Sequence, residues 1–346
     1  MPLAADRWIE VTPLGLHVPE GGFHVDPKRP VPLAVVSHGH ADHARPGHGC
    51  VVATPETIAV MRARYGPDAI GEARPLAPGE VVRLGSVEVG LAPAGHVLGS
   101  AQAVLDYQGT RVVYSGDYKR RPDPTCAPFL PVPCDVFITE ATFGLPVFRH
   151  PATADELGKL LHSLAVFPER CHVVGAYALG KAQRVIRELR LLGYDRPIHL
   201  HGALQRLCDL YRDHGVDLGE LRPATAGAKG RAREDLRGQV VIAPPGAIAD
   251  RWARRLPDPV VALASGWMRV RQRARARGVE LPLVLSDHAD WDELLATVEE
   301  LDPKEVWVTH GREEALIHAL AGRGRKARAL ALVGYDGEEG EASDVG

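Results

Sequence analysis

Apolar residues fall into two textures along this chain. Up to about residue 140 they come in short runs broken by Gly and Pro. Those runs predict strands over Val31–Ser37, Val81–Leu84, Val87–Ala92, Ala103–Tyr107, Arg111–Ser115 and Val136–Thr139. One helical pattern interrupts them at Pro55–Tyr65, with Thr54 placed to cap it. From Thr153 onward, helix and strand alternate. Helices are predicted over Thr153–Ala165 and Gly180–Leu192, and strands over Cys171–Gly175, Ile198–Leu200 and Gln239–Ala243. Such alternation indicates βα units on a parallel sheet. Two further strand-then-helix units follow, Leu283–Ser286 before Trp291–Glu300 and Glu305–Thr309 before Glu313–Ala321. The acidic, Gly-rich end, Asp336–Gly346, is expected to be disordered.

Composition narrows the class. A chain of 346 residues holds one large or two medium domains. No apolar run reaches the ~18–20 residues that span a bilayer, and MPLAADRWIEVTPLG lacks the apolar stretch of a signal peptide. No membrane partner and a cytoplasmic location are therefore expected. Cys50, Cys126, Cys134, Cys171 and Cys208 are scattered and never form a CxxC pair. They suit small buried hydrophobes better than a disulfide framework or thiolate zinc site. Charge is uneven: residues 151–280 hold 22 Lys+Arg against 14 Asp+Glu, whereas the remainder holds 19 against 30. A basic middle in an acidic frame points to a polyanionic partner, and divalent cations would offset part of the acidic excess.

The chemistry concentrates at one motif, His38-Gly39-His40-Ala41-Asp42-His43. His38 follows an apolar strand, and in extended backbone residues i and i+2 point to the same side, so His38 and His40 can reach one cation. Asp42 and His43 project from the start of the next segment. Imidazole with carboxylate suits Zn, Mn or Fe better than Ca or Mg. Other polar residues share the placement of His38: His96, Asp117, Glu140, His288 and His310 each come just past an apolar strand. That is where α/β sheets put their ligands. Singly, His96 also reads as a turn histidine, Asp117 as a loop cap, Glu140 as a helix-start carboxylate and His288 as a structural histidine. The candidates lie in the first and last parts of the chain, so an inserted domain at roughly 145–280 is the simplest organisation.

HxHxDH followed by Gly-His96, Gly-Asp117 and Thr-His310 resembles the metallo-β-lactamase fold. The resemblance implies an α/β architecture, an αββα sandwich, with residues 1–145 and 281–335 as its two parts and 336–346 as a tail. The insertion at 146–280, bordered by Glu140, His288 and His310, looks like the β-CASP domain, a parallel sheet flanked by helices. Over nearly the whole chain, stretches such as GAYALGKAQRV, ASGWMRVR and LSDHADWDEL resemble the bacterial ligase-associated DNA exonucleases. The family pattern assigns His38, His40 and His96 to one divalent transition metal, Zn or Mn. It assigns Asp42, His43 and His310 to a second, with Asp117 bridging both. Asp26 stands where the fold usually puts a carboxylate supporting the histidines. His288, hydrogen-bonded by Glu140, would lie near the leaving oxygen.

Two cations ~3.5–4 Å apart can generate a nucleophile from water and clamp phosphate oxygens. An imidazole held protonated by a carboxylate can supply the leaving group's proton. The resemblance thus implies a DNA exonuclease of repair that works beside a DNA ligase. An RNA nuclease of the same branch is the second reading, because a histidine at the His310 position is commoner in RNA-processing members. A small-molecule hydrolase on this fold is the third, but it explains neither the basic insertion nor the Glu140 and His288 pair. Within the insertion, Arg269, Arg271, Arg273, Arg275 and Arg277 alternate through RVRQRARAR, while Lys181 and Arg184 open GKAQRVIRELR. They read as solvated helix faces or as phosphate contacts. Lys181 and Ser265-Gly266 are candidates for gripping a phosphate. No Walker A or dinucleotide glycine fingerprint is present.

Overall fold

The computed structural model describes residues 2–224 and 236–330, so the tail expected to be disordered lies outside the described residues. The described residues form two compact units, one built from residues 2–149 and 288–330, the other from residues 150–224 and 236–287. These borders fall several residues beyond the 145/146 and 280/281 divisions read from the sequence.

The first unit holds two sheets. One runs in chain order through β1 (Glu10–Thr12), β2 (Gly15–Val18), β3 (Phe23–Val25), β4 (Leu33–Val35), β5 (His48–Ala53) and β6 (Ile70–Pro75). The other contains β7 (Val81–Leu84), β8 (Val87–Pro93), β9 (Ala101–Tyr107), β10 (Thr110–Tyr114), β11 (Val136–Ala141), β18 (Glu305–Gly311) and β19 (Ala327–Ala329). Its order is β19-β18-β11-β10-β9-β8-β7. Each sheet is antiparallel at one end (β1–β3; β7–β10) and parallel at the other (β3–β6; β10-β11-β18-β19).

Alternation along the strands decides the layering. Val35 and Val52 of the first sheet meet Val112, Tyr114, Ile138 and Trp307 of the second in a shared core. The intervening residues face outward. Ala34, Val51 and Ala53 pack on Ile58 and Met61 of the helix Pro55–Tyr65, while Val113, Phe137, Val306 and Val308 pack on the helices Trp291–Leu301 and Glu313–Ala321. The result is helix, sheet, sheet, helix. Thr54 caps the first helix as expected, its side-chain oxygen accepting from the Thr57 amide at 3.2 Å.

The strand expected over Val31–Ser37 is shorter. Pro32 has no amide proton to offer, and the Ser37 amide leaves the sheet to donate to Asp26 Oδ1 at 2.7 Å.

The second unit is one sheet of β12 (Cys171–Gly175), β13 (Ile198–Leu200), β14 (Leu221–Pro223), β15 (Val240–Ala243), β16 (Pro259–Ala264) and β17 (Leu281–Leu283). Its order is β14-β13-β15-β12-β16-β17, and every described pairing is parallel. The central β12 is buried along its whole length. Apolar stripes on Thr153–Val166 (Leu157, Leu160, Leu164) and Lys181–Leu191 (Val185, Ile186, Leu189) are buried too.

One expectation is corrected here. The strand placed at Leu283–Ser286 as part of the frame forms at Leu281–Leu283 and pairs with β16, so it is an edge of the inserted sheet. Pro282 fits an edge strand, where a missing N–H breaks no ladder.

Trp307 is 1% exposed in the core shared by the two sheets. Trp307→Ala should lower the unfolding free energy of the first unit by roughly 3–5 kcal/mol. Urea denaturation checks this, and a loss below about 1 kcal/mol would mean that the side chain is not part of a close-packed core.

Candidate metal centre

The polar residues that follow the strands meet at one edge of the first unit. His38 follows β4, His96 follows β8, and Asp117 follows β10 through Gly116. Glu140 lies near the end of β11 and His310 near the end of β18. Gly116 adopts φ +56°, and a Cβ there would stand 2.8 Å from both Cβ and Oγ of Ser37. Only glycine therefore lets the Asp117 loop lie against the histidine motif. Asp26 (φ 43°) and His310 (φ 56°) take the left-handed conformation without being glycine. Such backbone costs of the order of 1–3 kcal/mol each and clusters at functional sites.

Asp117 is the hub. Its Oδ2 lies 3.4 Å from His38 Nε2, 3.4 Å from His43 Nε2 and 3.8 Å from His96 Nε2. Ligand atoms of His38, His40, His96 and Asp117 all lie within 4.8 Å of one another, and so do those of His43, Asp117 and His310. Asp117 belongs to both groups. Asp42 is more peripheral, with Oδ2 at 3.6 Å from His43 Nε2 and membership of none of these close groups.

Hydrogen bonds behind the imidazoles set which nitrogen faces inward. The Ser37 hydroxyl donates to Asp26 Oδ2 at 2.5 Å, so it accepts from His38 Nδ1 at 3.0 Å. That leaves the lone pair of His38 on Nε2, a buried atom with no hydrogen-bond partner. Asp26 Oδ2 likewise takes the Nδ1 proton of His43 at 2.7 Å. A lone-pair-bearing Nε2 beside a carboxylate is what a metal-ligating histidine needs, and a carboxylate behind the ring is its usual support. Asp26 thus lies behind the His43 ring and, through Ser37, behind that of His38. Ser37 went unrecognised in the sequence, where it reads as the last residue of a strand. Ser100 was missed as well; its Oγ accepts from the amides of His96 and Val97 at 3.0 and 3.1 Å.

The electrostatics agree with this donor set. Burial, with His43 nearby, pushes His38 down to about 4, and burial and His43 do the same to His310. Burial and the neighbouring His288 hold His96 well below its usual value. These three rings are therefore neutral, as ligands must be. His43 goes the other way: burial alone would lower it, but the Asp117 and Asp42 carboxylates raise it well above 6.5. Burial alone would raise Asp117, yet the charges of His43 and His288 drive it well below 3.8. A negative hub beside three neutral imidazoles fits divalent metal ions, and His43 would give up its Nε2 proton to such a cation. His38, His40, His96, Asp117, His43 and His310 are the residues that would hold them.

Beside the cluster, His288 Nδ1 lies 2.9 Å from Glu140 Oε2 and 3.2 Å from Oε1. Glu140 is fully buried and also accepts the Tyr118 amide at 2.7 Å. Asp117, Glu140 and His288 themselves form a close group.

The second unit corrects two expectations. Lys181 and Arg184 are 4% and 3% exposed and do not line a solvated face. Lys181 Nζ meets Asp287 Oδ2 at 2.9 Å and the Leu285 carbonyl at 3.0 Å. Arg184 Nη1 donates to the Ser286 carbonyl and to Asp287 Oδ1 at 2.5 and 3.0 Å, and Nη2 to Thr153 Oγ1 at 2.7 Å. Their charges answer a buried carboxylate of the same unit, because an ion removed from water needs such a partner. The arginine run is also not one helix. Arg269 lies in the turn Gly266–Arg269 that Ser265 caps, only Arg271–Ala276 is α-helical, and Arg277 follows it. Ser265 and Gly266 are buried, Arg273 stacks 4.4 Å over the Trp267 ring, and Arg269, Arg271 and Arg275 are exposed.

No protein-family model matches the sequence. An Opitutus terrae protein named a probable DNA ligase is 30% identical over 326 residues, covering 91% of this chain and 30% of its own. A ribonuclease of Thermus thermophilus is 30% identical over 219 residues, covering 55% of this chain and 50% of its own. The chain thus spans less than a third of the first relative and half of the second. A crystal structure of a protein of unknown function from Enterococcus faecalis superposes with a TM-score of 0.58 at 13% identity, over 87% of this chain and 80% of that one. It shares the fold. No helix among the described residues is long and apolar enough to cross a membrane.

Ser37→Ala should weaken metal binding about 10–100-fold, because it frees the His38 ring and the Asp26 carboxylate to turn. Competition with a chromogenic chelator checks this; unchanged affinity would mean that the hydroxyl does not orient a ligand.

Proposed function

We propose, from the chain's membership of the β-CASP branch of the metallo-β-lactamase proteins, that it is a two-metal phosphodiesterase acting as a DNA exonuclease in repair. The observation that carries this reading is the Glu140–His288 pair beside Asp117. A thioester hydrolase, whose thiolate departs without a proton, has no need of a carboxylate-held imidazole next to its metal ligands, whereas a departing nucleoside oxygen needs a proton. When bound, the two metal ions supply a nucleophile from water near neutral pH and stabilise charge on the phosphate oxygens. His38, His40 and His96 would hold one ion and His43 and His310 the other, with Asp42 reaching in from the edge of the second group and Asp117 shared by both.

The protein groups do the rest. Asp26 and Ser37 hold Nδ1 of His43 and His38 and so turn Nε2 of each ring inward. Glu140 holds the Nδ1 proton of His288, which directs Nε2 outward as the proton donor to the leaving oxygen. The exposed Arg269, Arg271 and Arg275 remain the candidates for phosphate-backbone contact in the second unit. DNA is preferred because the relative matched over nearly the whole chain is named a probable DNA ligase, which also supports action beside a ligase. RNA is the second reading, supported by the Thermus thermophilus ribonuclease and by His310.

Matched 5′- and 3′-labelled DNA and RNA strands, digested with a panel of Zn and Mn, test the reading directly. DNA turnover at rates well above RNA is expected; preferential RNA cleavage would replace the first reading by the second, and cleavage of neither would end both. Asp117→Ala should abolish cleavage and lose bound metal. His288→Ala should slow cleavage by about 10²–10⁴-fold with metal content near wild type. Metal loss in that variant would make His288 a ligand instead. Replacing Arg271 and Arg275 together should make the dependence of log K on log salt shallower by about 0.9 for each phosphate that is no longer neutralised. An unchanged slope would return both arginines to the solvated surface.

A further inference from the structure

His288 is held by more than its carboxylate. The Tyr118 amide donates to Glu140 Oε1 at 2.7 Å, Glu140 Oε2 takes His288 Nδ1 at 2.9 Å, and the Ala289 amide donates back to the Tyr118 carbonyl at 2.6 Å. These bonds close a circuit. Tyr118 directly follows Asp117, so one stretch of backbone serves both the metal hub and the imidazole.

Beyond Ala289 the chain enters the helix Trp291–Leu301 through a reciprocal cap. Asp290 Oδ1 accepts from the amides of Asp292 and Glu293 at 3.1 Å each, and Glu293 Oε2 accepts from the Asp290 amide at 2.9 Å. The other oxygen of each carboxylate goes to one guanidinium. Arg121 Nη2 donates to Asp290 Oδ2 at 2.7 Å, and Nε donates to Glu293 Oε1 at 2.8 Å. Each carboxylate caps the helix with one oxygen and meets Arg121 with the other. The arginine therefore does something the cap does not require. It ties the helix to a segment that begins at Asp117, and its planar fork suits two carboxylates at once.

We propose that Arg121 is a positioning residue for His288. By gripping Asp290 and Glu293 it fixes the start of this helix against the Asp117–Arg121 segment, which sets where the imidazole points relative to Asp117. The proposal rests on the reading of His288 as proton donor and names the group that aims it.

Two variants of the full chain test it: Arg121→Met, which removes the fork, and Glu293→Gln, which keeps an oxygen for the Asp290 amide but loses the charge. The first readout needs no catalysis. With ¹⁵N-labelled histidine, the His288 Nδ1–H signal, assigned by its loss in His288→Gln, should be sharp in the wild type and broadened in both variants, metal-stripped or zinc-loaded. The second is kcat on a DNA strand against kcat on a nitrophenyl phosphodiester, whose leaving group departs without a proton. Arg121→Met should lower kcat on DNA by about 10–100-fold, with KM and metal content near wild type, and change the nitrophenyl ester by less than about threefold. Glu293→Gln should follow in the same direction with a smaller loss. Equal losses on both substrates, or a sharp His288 signal in both variants, would overturn the proposal. If the wild type cleaves neither ester the phosphodiesterase reading fails, and the histidine signal still decides whether Arg121 positions His288. Should Arg121→Met not fold, Glu293→Gln is read by the same two criteria.

Discussion

The burial of Asp117 is the constraint to which the rest of the site answers. A carboxylate 6% exposed is tolerated only where positive charge or hydrogen-bond donors replace the water it has lost. Of the three imidazoles within 3.8 Å, His43, whose charge the Asp117 and Asp42 carboxylates favour, supplies part of that replacement, and the neutral rings of His38 and His96 leave the rest to a cation held between them and the carboxylate. The order of support runs outward: Asp117 depends on His38 and His43, those rings depend on Asp26 and Ser37, and Asp26 depends on a left-handed backbone that brings its carboxylate back toward the strand end. Removing an outer member lets an inner one rotate, so the precision of the centre is distributed over residues that touch no metal.

Strand direction explains why such residues meet. β8 and β10 each run antiparallel to β9, so they point the same way, and β10, β11 and β18 are mutually parallel neighbours. Their carboxyl ends therefore share one edge, and His96, Asp117, Glu140 and His310 arrive there without any long-range recognition between them. β4, parallel to its neighbours in the facing sheet, delivers the histidine motif to the same edge. Two sheets joined by a common core thus bring their reactive ends together as a by-product of packing.

Those strand-end residues were legible in the sequence for the same reason. Each terminates an apolar run, and that pattern is local. What stayed hidden depends on contacts that no local pattern records. Ser37 looks like a strand residue until Asp26, eleven positions away, takes both its amide and its hydroxyl. Lys181 and Arg184 sit on a basic helix whose buried face is decided by Asp287, 103 residues beyond Arg184. Periodicity alone shows which residues share a face, but not which face meets solvent. The strand at Leu281–Leu283 is legible to within a few residues, but the sheet it joins is not, because pairing partners are a tertiary property. The strands β1, β2 and β3 escape notice because three or four residues carry too little alternation to stand out.

The way the second unit is threaded into the first has a consequence for chain length. The Phe148 carbonyl accepts the Trp291 amide at 3.0 Å, and Arg149 meets Asp292 at 2.7 Å, so everything from His150 to Asp287 leaves and returns between two anchored ends. For the first unit, that whole stretch is a closed loop. The entropy lost on closing a loop grows only with the logarithm of its length, about 0.6 kcal/mol for each doubling. Lengthening a tight turn to a whole domain takes roughly five doublings, or about 3 kcal/mol. That is comparable to burying one large apolar side chain, and the inserted sheet has a core of its own to offset it. A scaffold whose loop ends are already fastened side by side can therefore exchange a short connection for an entire folded domain and keep its own fold.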